Sequence, residues 1–186
     1  MKLKQAKDVQ ESAKLDLLMS LLIPIVEEGR KILIFSQFTS MLSLIELRLK
    51  EANIDWVKLT GQTRNRDQPI DAFQQGDTPI FLISLKAGGT GLNLTAADTV
   101  IHYDPWWNPA VEEQASDRAH RIGQDKPVFV YKLVTEGTVE EKIQELKEKK
   151  LAIAASLYGD RGKKKTQSIT ADDLNVLFEP IQSAAD

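Results

Sequence analysis

Short apolar runs that alternate with helical patterns constrain this chain most. KILIF at 31–35 and IFLIS at 80–84 each read as a buried strand, too short for a stable helix and bounded by polar or turn-forming residues. Around them apolar residues recur every three or four positions. Leu15, Leu18, Leu22 and Ile25 mark a helix over 12–28 closed by Gly29, and Leu42, Ile45 and Leu49 mark a second, which Thr39 can cap and which runs to about Lys50. The alternation continues through a strand at Trp56–Leu59, a turn at Thr60 and Gly61, and a helix near 66–73. It resumes with TVIHY at 99–103, a helix opened by Asn108 as cap and Pro109 in its first turn, and VFVYKLV at 128–134. Thr138 and Glu141 have capping-box spacing ahead of a long charged helix that reaches Tyr158. Strands that recur after each helix pair in parallel, with helices on both faces of the sheet. The expected fold class is α/β, with a core over residues 12–158.

Composition then narrows the chemistry. At 186 residues, 42% hydrophobic and 27% charged, the chain can bury one core but not two full domains. With no cysteine and two histidines, it has neither disulfides nor thiolate metal sites, and no protein-held metal is expected. The run LLMSLLIPIV is interrupted by Ser20 and Pro24 and is too short to span a bilayer, and MKLKQAKDVQ lacks a signal peptide's apolar stretch. No membrane partner is expected, and the compartment is taken as cytoplasmic, with the nucleoid, or nuclear. The net charge of -3 speaks against indiscriminate coating of nucleic acid but leaves room for a local basic strip. Residues 1–11 read as a disordered segment or one added ahead of the natural chain. Within 159–186, RGKKKTQ reads as a basic linker, and Thr170 with Asp173 can open a short terminal helix, a disordered tail being the alternative.

Open parallel sheets bind ligands beyond the carboxyl ends of their strands, so the segments leaving the strands hold the candidates. SQFTSM at 36–41 sets polar Ser36 and Gln37 directly after a buried strand, although Thr39 as a helix cap accounts for part of it. In SLKAGGTGLNLTAADTV, 84–100, Gly88, Gly89 and Gly91 permit close backbone approach, and free N–H groups after a strand form a concavity suited to phosphate. A tight turn needing positive φ is the other reading. Neither a GxGxxG turn nor a Walker-type phosphate loop occurs in the chain. HYDPWWNPAVEEQ, 102–114, sets Trp106 beside Trp107, so either one faces solvent or a partner, or both plug the end of the sheet. QASDRAHRIGQ, 114–124, carries Arg118 and Arg121 on one helical face; by itself it reads as a solvated helix whose arginines pair with Glu112, Glu113 and Asp117.

Together and in this order, KILIFSQF, LTGQTRNRDQPIDAF, LKAGGTGLNLTAADTVIHYDPWWNP, QASDRAHRIGQ and YKLVTEGTVEEKI resemble the second ATPase lobe of Swi/Snf-type chromatin-remodelling and DNA-translocating motors, over residues 14–157. The resemblance implies a RecA-like parallel sheet with helices on both faces and a C-terminal brace helix. It implies ATP with magnesium held between two lobes, mainly by the first. Arg118 and Arg121 match the family's paired arginines, with Arg121 the expected arginine finger and Arg118 a nucleotide-binding partner, both expected to be catalytic. Gln114 matches the glutamine that opens the motif near the nucleotide, Asn93 the place of a ribose-contacting residue, and Gly91 falls beside them. A sequence-blind grip on the duplex backbone falls to Ser36, Gln37, Thr60, Gly61, Ser84, Lys86, Gly88 and Gly89. Trp107 matches the tryptophan of the WNP motif, which couples DNA contact to ATP use. Trp106 is expected to pack within the lobe, and His102 and His120 to be structural.

Half of such a motor's chemistry lies outside this sequence. There is no phosphate-loop lysine and no DExH-type acidic pair, so the chain alone is expected not to hydrolyse ATP. The expectation is one lobe of a longer polypeptide, or a lobe whose partner is a separate chain, acting as a monomer on double-stranded DNA with an N-terminal ATPase lobe. Two rival classes are a nonenzymatic interaction module, which has no need of both arginines, and a Rossmann-type enzyme, which should carry a glycine-rich turn where this chain has FSQFTS.

Overall fold

The computed structural model describes residues 12–88, 92–119 and 126–158, with side chains through 149. Residues 1–11 and 159–186, Gly89, Gly91, His120 and Arg121 lie outside that set. The strands are β1 (Ile32–Ser36), β2 (Trp56–Leu59), β3 (Ile80–Ser84), β4 (Thr99–His102) and β5 (Phe129–Lys132). The helices are α1 (Ala13–Glu27), α2 (Thr39–Glu51), α3 (Asp67–Gln75), α4 (Leu85–Gly88), α5 (Pro109–Ser116) and α6 (Val139–Tyr158). The strands form one sheet in the order β2-β3-β1-β4-β5, with every neighbouring pair parallel.

The two faces of the sheet follow from strand alternation. Ile32 and Ile34 of β1, with Ile80 and Leu82 of β3, pack with Leu18, Leu22, Leu42 and Ile45 of α1 and α2. Their neighbours Leu33, Phe35, Phe81 and Ile83 pack on the opposite face with Phe73 of α3 and Ala115 of α5. Because helices cover both faces, β1 and β3 are buried at every position, and each such Leu, Ile or Phe contributes about 1.5–3 kcal/mol. The apolar period read from sequence is buried throughout: it is the whole buried set of α2, and in α1 Met19 joins it.

Local chemistry sets most of the ends. Ser12 caps α1 by accepting from the Leu15 N–H, and Gly29, at φ +72°, closes it with the Arg30 N–H reaching the Ile25 carbonyl at 3.3 Å. Asn108 caps α5 by accepting from the Ala110 N–H at 3.1 Å, with Pro109 as first residue. At α6 the Thr138 hydroxyl accepts from the Glu140 N–H at 3.2 Å, and the Glu141 carboxylate reaches back to the Gly137 N–H at 2.8 Å. Three expectations need correction. The cap of α2 is Phe38, without a side-chain bond, and Thr39 is already helical. The helix near 66–73 starts at Asp67 and runs to Gln75. The last strand spans four residues rather than seven and is mostly exposed, because it is the edge of the sheet with one neighbour.

Candidate functional site

The carboxyl ends of the strands align. Ser36 pairs in register with Ser84, Leu59 with Ile83 and His102 with Phe35. Thr60, Ser84, Ser36 and Tyr103 therefore form a row across one end of the sheet, and the candidate segments all leave from it.

At its centre Ser36 is fully buried and donates to the Asp104 carboxylate, which also accepts from the Gln37 N–H at 3.2 Å. Ser36 in turn accepts from the Phe38 N–H at 3.1 Å, so the turn after β1 is built on one buried hydroxyl and one buried carboxylate. Burial pushes the Asp104 pKa up, against Ser36, Lys14 and the Gln37 amide. Gln37 itself is half-buried. Beyond β2, the Thr60 N–H donates to Thr63 at 3.0 Å and the Thr60 hydroxyl accepts from the Gln62 N–H at 3.3 Å, leaving Gly61 exposed at the tip. Beyond β3, Ser84 is buried and accepts from the Ala87 N–H at 3.4 Å, Lys86 is exposed, and Gly88 ends the single turn of α4. Arg66, which the sequence reading passed over, donates to the Ala87 carbonyl at 2.6 Å and ties the loop after β2 to this turn.

The arginine segment meets the stretch that follows α4, whose Asn93 carbonyl and Ala96 N–H bond to Gln74 near the end of α3. Arg118 is 2% exposed and donates to the Leu92 carbonyl at 3.3 Å, while its own carbonyl accepts from the Leu94 N–H at 3.0 Å. This overturns the solvated-helix reading for Arg118 on both counts, since α5 ends at Ser116 and Arg118 lies in the turn beyond it, and a guanidinium at 2% exposure is not a solvated surface charge. The structure so brings Arg118 against the segment that bears Asn93. Asn93 and Gln114 are both exposed.

Trp106 and Trp107 are each half-buried, with ring centroids 6.1 Å apart. Trp106 packs on the core cluster of Leu33, Phe35 and Ala115, whereas Trp107 is not among its members. The Trp106 N–H donates to Glu112 at 2.6 Å. Glu112 is 1% exposed and also binds Lys147 of α6 at 2.7 Å and pairs with Lys132 of β5 at 3.0 Å. Burial raises its pKa, but the Lys147 ammonium, the Trp106 amide and Lys132 outweigh this and hold it below the ordinary carboxylate value. Glu112 is thus committed to lysines and a backbone amide, not to the arginines as the helix reading expected. Nothing in the sequence set it apart from its neighbour Glu113, because burial of one acid in a charged helix leaves no periodic signal.

His102 lies next to this cluster, stacked on Phe35 at 5.6 Å. The Ser116 hydroxyl donates to the Glu112 carbonyl at 3.1 Å, so the His102 Nε2 at 3.0 Å carries the proton that Ser116 accepts, and Nδ1 has no hydrogen-bond partner among the described residues. Its pKa falls to about 4 through burial, which fits a structural residue neutral at physiological pH. Among the described residues no group of three or more His, Cys, Asp or Glu could hold a metal ion, and no helix is long and apolar enough to cross a membrane.

Comparison with known proteins agrees with this architecture. Residues 13–123 match the helicase conserved C-terminal domain. An uncharacterized ATP-dependent helicase of Schizosaccharomyces pombe is 44% identical over 151 residues, covering 80% of this chain and 14% of that protein. The chain therefore spans a small part of such a relative's length. The crystal structure of the C-terminal part of the Fun30 ATPase domain superposes with a TM-score of 0.71 at 43% identity, over 73% of this chain and 45% of that one. The Sulfolobus solfataricus SWI2/SNF2 ATPase core, solved in complex with dsDNA, gives 0.65 at 40% identity, over 82% of this chain and 32% of that one. The match over residues 13–123, with the likeness of the five-stranded parallel sheet to these two structures at 40% identity or more, makes this chain a member of the helicase conserved C-terminal domain family, a second RecA-like lobe of the Swi/Snf type.

Proposed function

We propose that this chain is the C-terminal motor lobe of an ATP-dependent double-stranded DNA translocase, a chromatin-remodeller-like helicase, and that it completes an ATP site whose phosphate loop and magnesium ligands belong to an N-terminal lobe. The observation that carries the reading is the burial of Arg118 and its two-way bonding to residues 92–94. Fixing a guanidinium in this way costs desolvation, and it holds the turn after α5 against residues 92–94.

Bound ATP with magnesium supplies the phosphoanhydride to be cleaved and much of the neutralisation of its phosphates. The work of this lobe is orientation and charge. Arg121 is the arginine finger, whose planar, permanent cation suits charge spreading over phosphate oxygens in a loose transition state. Arg118 fixes the start of that segment and helps bind nucleotide, while Gln114 and Asn93, both exposed, reach the nucleoside side. On the DNA side, Gln37, Thr60, Gly61, Lys86 and the Gly88–Gly89 backbone grip phosphates without reading bases. Ser36 and Ser84, both buried, serve this grip by setting the turns from which Gln37 and Lys86 approach. Trp107 couples the contact to ATP use.

The test uses the chain alone and then joined to its N-terminal lobe. Alone it should turn over no ATP above background and bind duplex weakly, with an affinity that falls steeply with salt and ignores sequence. Joined, it should show DNA-stimulated turnover. Robust turnover by the chain alone, or sequence-specific binding, would overturn the half-site reading; a joined protein without turnover would favour an interaction module instead.

A further inference from the structure

One carboxylate joins four parts of this lobe. The Glu112 Oε1 on α5 accepts both from the Trp106 N–H at 2.6 Å and from Lys147 Nζ on α6 at 2.7 Å, and Oε2 lies 3.0 Å from Lys132 Nζ on β5. Lys147 is 3% exposed, and Glu112 accepts its one hydrogen bond among the described residues. Such a cluster is a poor source of stability, because an apolar set of similar volume is often as stable or more so. Its effect is to specify an arrangement: displacing Glu112 leaves the buried Lys147 without its carboxylate, and displacing Lys147 leaves Glu112 with only the half-exposed Lys132 as counter-charge. Lys132 is 42% exposed, so Lys147 is the member whose loss inside the fold is least replaceable by water.

We propose that Glu112 is a positioning residue through which the docking of α6 fixes the Trp106–Trp107 loop, so that loop, α5 and α6 move as one body. Its consequence for DNA movement rests on the motor function proposed above. The shared oxygen makes the link directional. With Lys147 gone, the carboxylate turns toward Lys132 and the wetter side of the cluster, and its bond to the Trp106 amide weakens. The loop that holds Trp107 then loosens while Arg118, beyond the C-terminal end of α5, keeps its bonds to residues 92–94.

The first arm of the test uses the chain alone in a Trp56→Phe background, where the loop tryptophans are the only two left. Lys147→Met should shift their emission and raise acrylamide quenching by about twofold or more, although Lys147 lies on another element. Adding Glu112→Gln, which leaves a neutral acceptor for the Trp106 amide, should reverse much of that rise. Circular dichroism on the same samples confirms that folded protein is being measured, and Lys147→Gln replaces Lys147→Met should the latter unfold. In the second arm, the two-lobed motor, Lys147→Met should cut DNA moved per ATP by about twofold or more while turnover is largely kept. Unchanged quenching, or strictly additive effects in the double variant, overturns the positioning role whatever the motor does. A responding loop with a normal ratio of movement to ATP overturns the coupling. A responding loop in a protein whose unsubstituted form moves no DNA supports the positioning role and overturns the motor function instead.

Discussion

Acidifying the lobe should destabilise it through His102. Burial drives this pKa from 6.5 to about 4, with Glu112 drawing it up and Lys132 and Lys147 pressing it down. Since the folded value lies below the unfolded one, the unfolded chain binds the proton more tightly. The stabilisation is complete above about pH 6.5, is lost progressively as pH falls toward 4, and then levels off. The difference, 6.5 minus about 4, corresponds to roughly 3.4 kcal/mol in full at about 1.36 kcal/mol per unit. Integrated from about pH 7.5 to about pH 5, the loss is about 2 kcal/mol, a large share of a marginal fold's stability. Urea unfolding of the native sequence and of His102→Gln at those two pH values measures it. Gln keeps a donor for Ser116 and does not titrate, and Asp104 and Glu112 are common to both proteins. His102→Gln should be less stable at the higher pH, where the Phe35 stack is lost, yet should lose about 2 kcal/mol less on acidification. Equal pH dependence in the two proteins would refute the argument that His102 is held neutral by burial.

At Gly61 no atom lies within 4 Å of where a Cβ would sit and φ is not positive, so Gly61→Ala should leave the unfolding free energy from urea titration unchanged or raised by up to about 1 kcal/mol. If a phosphate approaches that backbone, the same methyl should weaken duplex binding in the two-lobed motor, measured at fixed salt. Asp104→Ala removes the acceptor for Ser36 and the Gln37 N–H and should cost about 1–3 kcal/mol in urea unfolding, whereas Asp104→Asn, which can still accept from Gln37, should cost less. Asn108→Ala should cost about 1 kcal/mol by loss of the α5 cap, seen as a lower midpoint with an unchanged m-value.

What sequence reading could see, and what it could not, divides along physical lines. Periodicity located α1, α2 and β3, because Leu18, Leu22, Leu42 and Ile45 face one layer of the sheet and strands buried on both sides read as apolar runs. A cap with a side-chain bond, Asn108, marked a real helix start. Thr39 did not, since a residue of cap type one place too late looks the same in sequence as a cap. The edge strand β5 was overextended because VFVYKLV is apolar enough for a buried strand while pairing supports four residues of it. At the site, although their roles are proposals, the places of Gln37 and Lys86 just beyond β1 and β3 were legible from segment position. Asp104, Arg66 and the Glu112–Lys147 pair were not, because each works through a long-range contact, from Ser36 to Asp104, Arg66 to Ala87 and Glu112 to Lys147, that no local pattern encodes. The burial of Arg118 likewise depends on residues 92–94 folding back over it.

The central claim is that this lobe supplies the cation that completes an ATP site, and the most direct measurement is DNA-stimulated ATP turnover of the two-lobed motor carrying Arg121→Ala, with duplex affinity determined on the same preparation. Turnover should fall by about 10³–10⁵-fold while DNA affinity stays within about twofold, since the finger acts on transition-state charge. Arg121→Lys should remain badly impaired, because an ammonium is a point charge without the guanidinium's fork. Normal DNA-stimulated turnover in Arg121→Ala would contradict the account and return QASDRAHRIGQ to a structural helix end.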